Sequence, residues 1–102
     1  MQAEPWVIVV AAAPGEPGSR EMLELVLAGA TLEVEMLVVF EAEGLAHLEP
    51  EPFAPWRQLL DFELAEVRAR GSGEALLPAG VSAIDDEAFE NVCRHAAGVL
   101  RL

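Results

Sequence analysis

The sequence predicts an α/β fold: three layers, α/β/α, around a mainly parallel sheet of four or five strands. Three observations predict it. Trp6 to Ala12 and Met36 to Phe40 are uninterrupted apolar runs rich in Val, the pattern of strands covered on both faces. Between them, Met22, Leu25, Val26 and Gly29 recur at helical spacing, and Leu23, Leu27 and Ala30 widen the stripe. The tail repeats the alternation, with a short strand at Val81 to Ile84, a helical pattern, and a last strand at Val99 to Leu102.

Taken in order, Met1 to Pro5 is a short lead-in to the first strand. Pro14, Gly15, Pro17 and Gly18 then break the chain. The first helix runs from about Ser19 to Thr31, capped by Gly18 or Ser19, with Glu21 and Glu24 near its positive end. Its apolar stripe is wider than one sheet face can cover, so other helices or a second subunit flank it. The strand Met36 to Phe40 completes a right-handed βαβ unit. Glu41 to Pro55, with three prolines and crowded acids, reads as a loop with at most one short turn of helix. It follows a strand's carboxyl end, where ligands collect in open α/β sheets.

Trp56 to Arg70 has two readings. As one helix, Trp56, Leu60, Leu64 and Val67 line a face, Pro55 starts it and Gly71 ends it; these end signals favour the single helix. Alternatively the chain turns near Asp61 and continues as an alternating edge strand. Gly71 to Gly80 is a flexible connection. Asp85 caps a last helix whose inner face carries Phe89, Val92, Cys93 and Ala96, and Gly98 ends it.

Composition narrows the function. The 102 residues suit one domain, 1–102, with a real but thin core. Hydrophobic residues make up 53%, and mean hydropathy is +0.32, high enough to favour an oligomer over a monomer. The net charge is −12 and every basic residue is Arg, so phosphate backbones are repelled and nucleic-acid binding is not expected. Acidic charge keeps an apolar chain soluble, and could attract a basic partner. No apolar run approaches the ~20 residues that cross a bilayer, and no signal peptide is visible. With a single cysteine there is no internal disulfide, and the expected location is the cytoplasm, away from membranes.

The runs A-P-G-E-P-G-S-R-E-M-L-E-L-V-L-A and V-E-M-L-V-V-F-E-A-E-G-L resemble the DsrE/DsrF/TusC family of small sulfur-relay proteins. Arg20, Glu21 and Leu23 match that family's helix start, Glu43, Gly44 and Leu45 its acidic-Gly turn, and D-D-E-A-F-E-N-V-C-R-H-A-A-G-V-L-R-L its last helix and strand. The resemblance covers the first half and final quarter. It implies a third strand within Trp56 to Arg70, a trimer or hexamer of identical subunits, and partners among sulfur-relay proteins of tRNA thiolation or sulfur oxidation. Sulfur-carrying members hold their cysteine on the loop after the third strand, and the matching region, Val67 to Gly80, has none. The chain thus looks like the non-carrying type, a subunit that scaffolds or docks partners.

Candidate chemistry is sparse. Cys93 could carry sulfur only if exposed and deprotonated beside a cation or a helix N-terminus. It falls late in a helix on the apolar stripe, with Arg94 and His95 pointing elsewhere, so a structural core cysteine is the expectation. The alternative to a scaffold is a small-molecule or anion-binding module using the loop Pro14 to Arg20. There Gly15, Gly18 and Ser19 could offer backbone N–H groups with Arg20 as a further donor, and Glu43 and His47 stand on the following loop. That loop has neither Walker A nor dinucleotide-binding spacing, Glu16 and Glu21 repel phosphate, and a tight connection needing Gly and Pro explains it as well. The plain reading of His47 is a solvent-facing loop residue; His95 suits a helix C-terminus. No metal-ligand spacing, nucleophile elbow or cofactor motif occurs, and the many carboxylates read as a solvated face.

Overall fold

Five strands form one wholly parallel sheet in the order β4-β3-β2-β1-β5. The computed structural model describes residues 4–102; Met1 to Ala3 of the expected lead-in lie outside the described residues. Along the chain come β1 (Trp6–Val10), α1 (Ser19–Thr31), β2 (Met36–Glu41), a 3-10 turn at Ala42–Leu48, α2 (Pro50–Phe53), a second 3-10 turn at Ala54–Arg57, α3 (Gln58–Asp61), β3 (Glu66–Arg70), β4 (Ser82–Ile84), α4 (Asp86–His95) and β5 (Gly98–Arg101). The expected three-layer α/β/α fold is present, with five strands.

Right-handed crossovers decide which face each helix covers. The connections from β1 to β4 all step one way across the sheet, so α1 and the helical segment 42–61 share one face. The connection through α4 steps back from β4 to β5 and lies on the other. The core divides accordingly. Met22, Val26 and Ala30 of α1, with Phe53, Trp56 and Leu59, pack on Ile8, Val10, Val38, Phe40, Val67 and Ala69. Phe89 of α4 packs on Val7, Val9, Leu37 and Val39, with Val92, Cys93 and Ala96 beside it.

α1 has the expected bounds, and Gly18 rather than Ser19 occupies its N-cap, at φ 89, a left-handed conformation that glycine adopts without strain. Leu25, expected on the inner stripe, is exposed: the face of α1 that buries is centred on Met22, Val26 and Ala30. Asp85 caps α4 as expected, its Oδ1 accepting the Ala88 N–H at 2.7 Å.

Three expectations fail for physical reasons. In place of the loop expected over Glu41 to Pro55, the chain forms a succession of short helical turns from Ala42 on. Pro50 and Pro55 each sit in the first positions of a turn, where a missing N–H is harmless and the fixed φ suits a helix. The single helix through Trp56 to Arg70 is also overturned. α3 ends at Asp61, Glu63 takes φ 52, and the chain enters β3. β3 is not an edge strand; it lies between β2 and β4 and alternates because Val67 and Ala69 face the core while Arg68 and Arg70 face the α4 side. Gly98 does not end α4, which stops at His95, but begins β5. A Cβ there would sit 2.3 Å from the Trp6 indole, so the glycine makes room for the ring on the neighbouring strand.

Gly44 carries the tightest backbone approach. A Cβ on it would lie 2.0 Å from the carbonyl oxygen of Val10 and 3.1 Å from the Cα of Ala11. Both are backbone atoms of the sheet's central region and cannot swing away. Gly44→Ala is expected to destabilise by about 3 kcal/mol in urea unfolding, through forced backbone displacement. Gly15→Ala, at a glycine with nothing within 4 Å of its added Cβ, is the control and should change stability by about 0.5 kcal/mol or less.

Candidate functional site

The connections after β1, β2 and β3 gather at the sheet's carboxyl edge. The turn Ala42–Leu48 leaves β2 through Ala42, at φ 51, and doubles back over the end of β1. This brings His47 against the foot of the β1 connection. His47 is 3% exposed, its Nε2 is 2.9 Å from the Ala12 carbonyl oxygen, and its Nδ1 is 3.2 Å from Trp56 Nε1. Indole N–H can only donate, so Nδ1 accepts and Nε2 carries the proton and donates to Ala12. The tautomer is therefore fixed, and the ring is neutral. Burial holds its pKa below the usual 6.5, the bond to Ala12 partly offsetting this. Phe40 packs edge-on against Trp56 at 5.0 Å and tilted against His47 at 5.5 Å. His47 is thus a buried clip, and its reading as a solvent-facing loop residue is overturned.

In front of this clip lies a groove of about 650 Å³. Leu45, Leu48 and Phe53 form one wall; Ala75, Leu77 and Pro78 of the connection after β3 form the other. Its charged groups are Arg57 and Glu49. The Arg57 guanidinium lies over the Phe53 ring at 5.3 Å and has no ion-pair partner among the described residues.

The residues singled out in the sequence are distributed differently. Gly15, Gly18, Ser19 and Arg20 lie on the connection after β1, which is largely closed on itself. Ser19 Oγ donates to the Pro14 carbonyl at 2.6 Å, and the Ser19 N–H donates to the Glu16 carbonyl at 3.2 Å. Arg20 and Glu43 are exposed. None of these residues lines the groove, which Leu45, Phe53, Arg57 and Leu77 build instead. One sequence signal pointed there: Arg57 is the only basic residue between Arg20 and Arg68.

Cys93 lies on the other face of the sheet, half-buried against the α4-side core. The expectation that no cation stands near it does not hold. Arg70, Arg94 and Arg101 line the same shallow groove. Two of them are engaged elsewhere: Arg70 with Glu41 and Asp86, each at 3.0 Å, and Arg101 with Glu41 at 3.6 Å. His95 sits in the last turn of α4, its Nδ1 2.9 Å from the Asn91 carbonyl oxygen. Among the described residues no group of three potential ligands could hold a metal ion, and no helix is long and apolar enough to cross a membrane.

The fold is similar to that in the crystal structure of the YchN protein from E. coli. The TM-score is 0.73, over 97% of this chain and 99% of that one, at 16% sequence identity. The likeness is to a DsrE/TusC-like fold and fits the sequence resemblance at the level of the fold alone. No family model matches the sequence, and no curated protein does. The connection after β3, residues 71–81, closes one side of the groove. It places Ala75, Leu77 and Pro78 along the groove.

The clip makes a pH-dependent prediction. In His47→Leu, the Trp56 N–H and the Ala12 carbonyl lose their partner in the core, and a loss of about 2–4 kcal/mol is expected at pH 7. The folded pKa lies below the unfolded value of 6.5, so the unfolded chain takes up the proton first as pH falls. The stability His47 contributes is therefore complete above about pH 6.5 and declines as pH falls toward the folded pKa. The gap between wild type and His47→Leu, followed by urea unfolding from pH 7.5 to 5, should narrow. A constant or widening gap would mean that His47 is not a buried neutral ring.

Proposed function

We propose that this chain is a non-catalytic, DsrE/DsrF-like subunit that docks partners in a sulfur relay, of tRNA thiolation or sulfur oxidation, or in a related pathway. The observation that carries the reading is the connection after β3. Where resembling carriers present a thiol, residues 71–81 contain no cysteine, and their apolar side chains form a wall of a groove. The one thiol of the chain, Cys93, stands on the opposite face of the sheet in the second helical layer, partly packed against Val7, Val9, Leu37 and Val39. Its distance through the sheet from the groove separates it from anything bound there.

Self-association is part of the proposal, as a trimer or hexamer. The α4 side of the sheet has one ten-residue helix against five strands. Val99 remains exposed on that face and Trp6 and Leu100 on the α1 face, along β1 and the edge strand β5. A free parallel edge bearing large apolar side chains is the kind of surface that another subunit covers.

Two measurements test the proposal together. Solution mass should be that of a trimer or hexamer at micromolar concentration, and Leu100→Lys should shift it toward monomer while leaving the helical circular dichroism intact. The native protein treated with polysulfide, then examined by intact mass, should gain no sulfur atom at Cys93. A monomer would remove the assembly from the proposal. A stable persulfide on folded Cys93 would replace the docking subunit by a carrier.

A further inference from the structure

The groove beside Phe53 has a chemistry that the docking proposal does not use. We infer that it binds a small amphiphile with an apolar body and one anionic head, the body along Leu45, Phe53 and Leu77 and the carboxylate on Arg57.

Three observations carry this. The first is size and lining. About 650 Å³ falls within the range of small-molecule sites, and its walls are Leu, Phe, Ala and Pro side chains. The second is Leu76, which is 99% exposed yet lies on the rim of the groove. A large aliphatic side chain left wholly in water at the mouth of an apolar groove gains by closing over an apolar body. The third is Arg57. It is half-buried, oriented over Phe53 and free of any ion pair among the described residues, in a chain of charge −12. Arg68, Arg70 and Arg101 are paired with acids; Arg20 and Arg94, the other two arginines without an ion pair among the described residues, are exposed, so Arg57 is the half-buried one. A guanidinium offers a planar fork matched to a carboxylate, and desolvation by the groove walls strengthens that pairing. Glu49 also borders the groove but is exposed to water.

The overall charge makes the test sharp, because it opposes the proposed selectivity. A protein of −12 attracts cationic amphiphiles and repels anionic ones everywhere except at a local cation. Dodecanoate, dodecanol and dodecyltrimethylammonium share an apolar chain and differ in the head. Calorimetric titration of the full chain, below the micellar range of each, should show saturable binding of one dodecanoate per subunit. Dodecanol and dodecyltrimethylammonium should bind about tenfold more weakly or not at all. Arg57→Gln should weaken dodecanoate about tenfold and leave dodecanol unchanged; Arg57→Lys, which keeps the charge and loses the fork, should fall between. Arg20→Gln, on a different connection, should bind as wild type does. Trimethylammonium binding as tight as carboxylate binding, unsaturable uptake, or equal affinity in wild type and Arg57→Gln would each overturn the assignment. The Arg57 variants leave the Gly44 and His47 contacts intact, and circular dichroism checks that they fold. The mass and persulfide measurements above are indifferent to this result, so the two readings stand or fall separately.

Discussion

The closest constraint in the molecule is the backbone contact between Gly44 and the end of β1. With no side chain, Gly44 lies against the Val10 carbonyl, and three residues later His47 bonds to the Ala12 carbonyl. Together these pin the turn Ala42–Leu48 across the first strand. Everything after it in the second helical segment takes its place from that pin. Trp56 is held by its N–H to His47 and by its ring against Phe40, and Phe53 and Leu59 fill the same core. A left-handed Ala42, mildly unfavourable for a residue with a Cβ, is the conformation that turns the chain back from β2 into this contact. Because the clip is wholly satisfied and buried, it adds specificity as well as stability: a slipped turn would strand an indole N–H and a carbonyl in the core.

The two faces of the sheet solve different problems. On the α1 side, a long helix and a chain of short turns cover four strands, and the side chains facing them from the sheet are apolar. On the other side, α4 crosses alone from β4 to β5. It covers the middle of the sheet with Phe89, Val92 and Cys93, and the carboxyl end of that face is covered by ionic groups. Asp86 of α4, Arg70 of β3, Glu41 of β2 and Arg101 of β5 form a linked row there, with Arg70 also lying over Phe89 at 4.3 Å. Partly exposed ion pairs of this kind add modestly to stability. Their arrangement accounts for the alternating pattern of β3, an interior strand that carries arginines because its α4-side face meets the carboxylates of Glu41 and Asp86 as well as the Phe89 ring. It also accounts for the cations around Cys93, which belong first to Glu41 and Asp86.

What could be read from the sequence was what local chemistry determines. α1 was legible because Gly18 and a run of helix formers define its start, and its periodicity is unbroken. Asp85 was legible as a cap because capping is a three-residue event. The segment 42–61 was not, because proline marks a loop and the first turn of a helix equally well, and only the tertiary contact of Gly44 and His47 decides between them. Of the two readings of Trp56 to Arg70, the turn near Asp61 into a strand held and the single helix failed at the same place. Its end signals were sound for an isolated helix, but Val67 and Ala69 are required as a strand beside β2. Gly98 looked like a helix stop and is a space for Trp6, a contact over ninety positions away in sequence and invisible to any local rule. The candidate site was missed for a related reason. Glycines and a histidine are the residue types of anion sites, whereas the groove is built of Leu, Phe and Pro around one arginine.

At 16% identity the chain keeps the architecture found in YchN almost end to end, so the sheet and its helices are not where the two sequences must agree in detail. The connections at the carboxyl edge are free to differ, since each is anchored at a strand end and constrained little beyond it. Here the connection after β1 is closed by its own hydrogen bonds, and the one after β2 is locked to β1. The one after β3 holds Gly71, Gly73 and Gly80 at positive φ and few bonds to the rest of the molecule. It is the connection most able to adjust to a bound group, and it faces a wall fixed by the clip. A rigid wall carrying an unpaired cation, opposed by a pliant one carrying Leu76 and Leu77, is a physical basis for recognition without any reacting side chain.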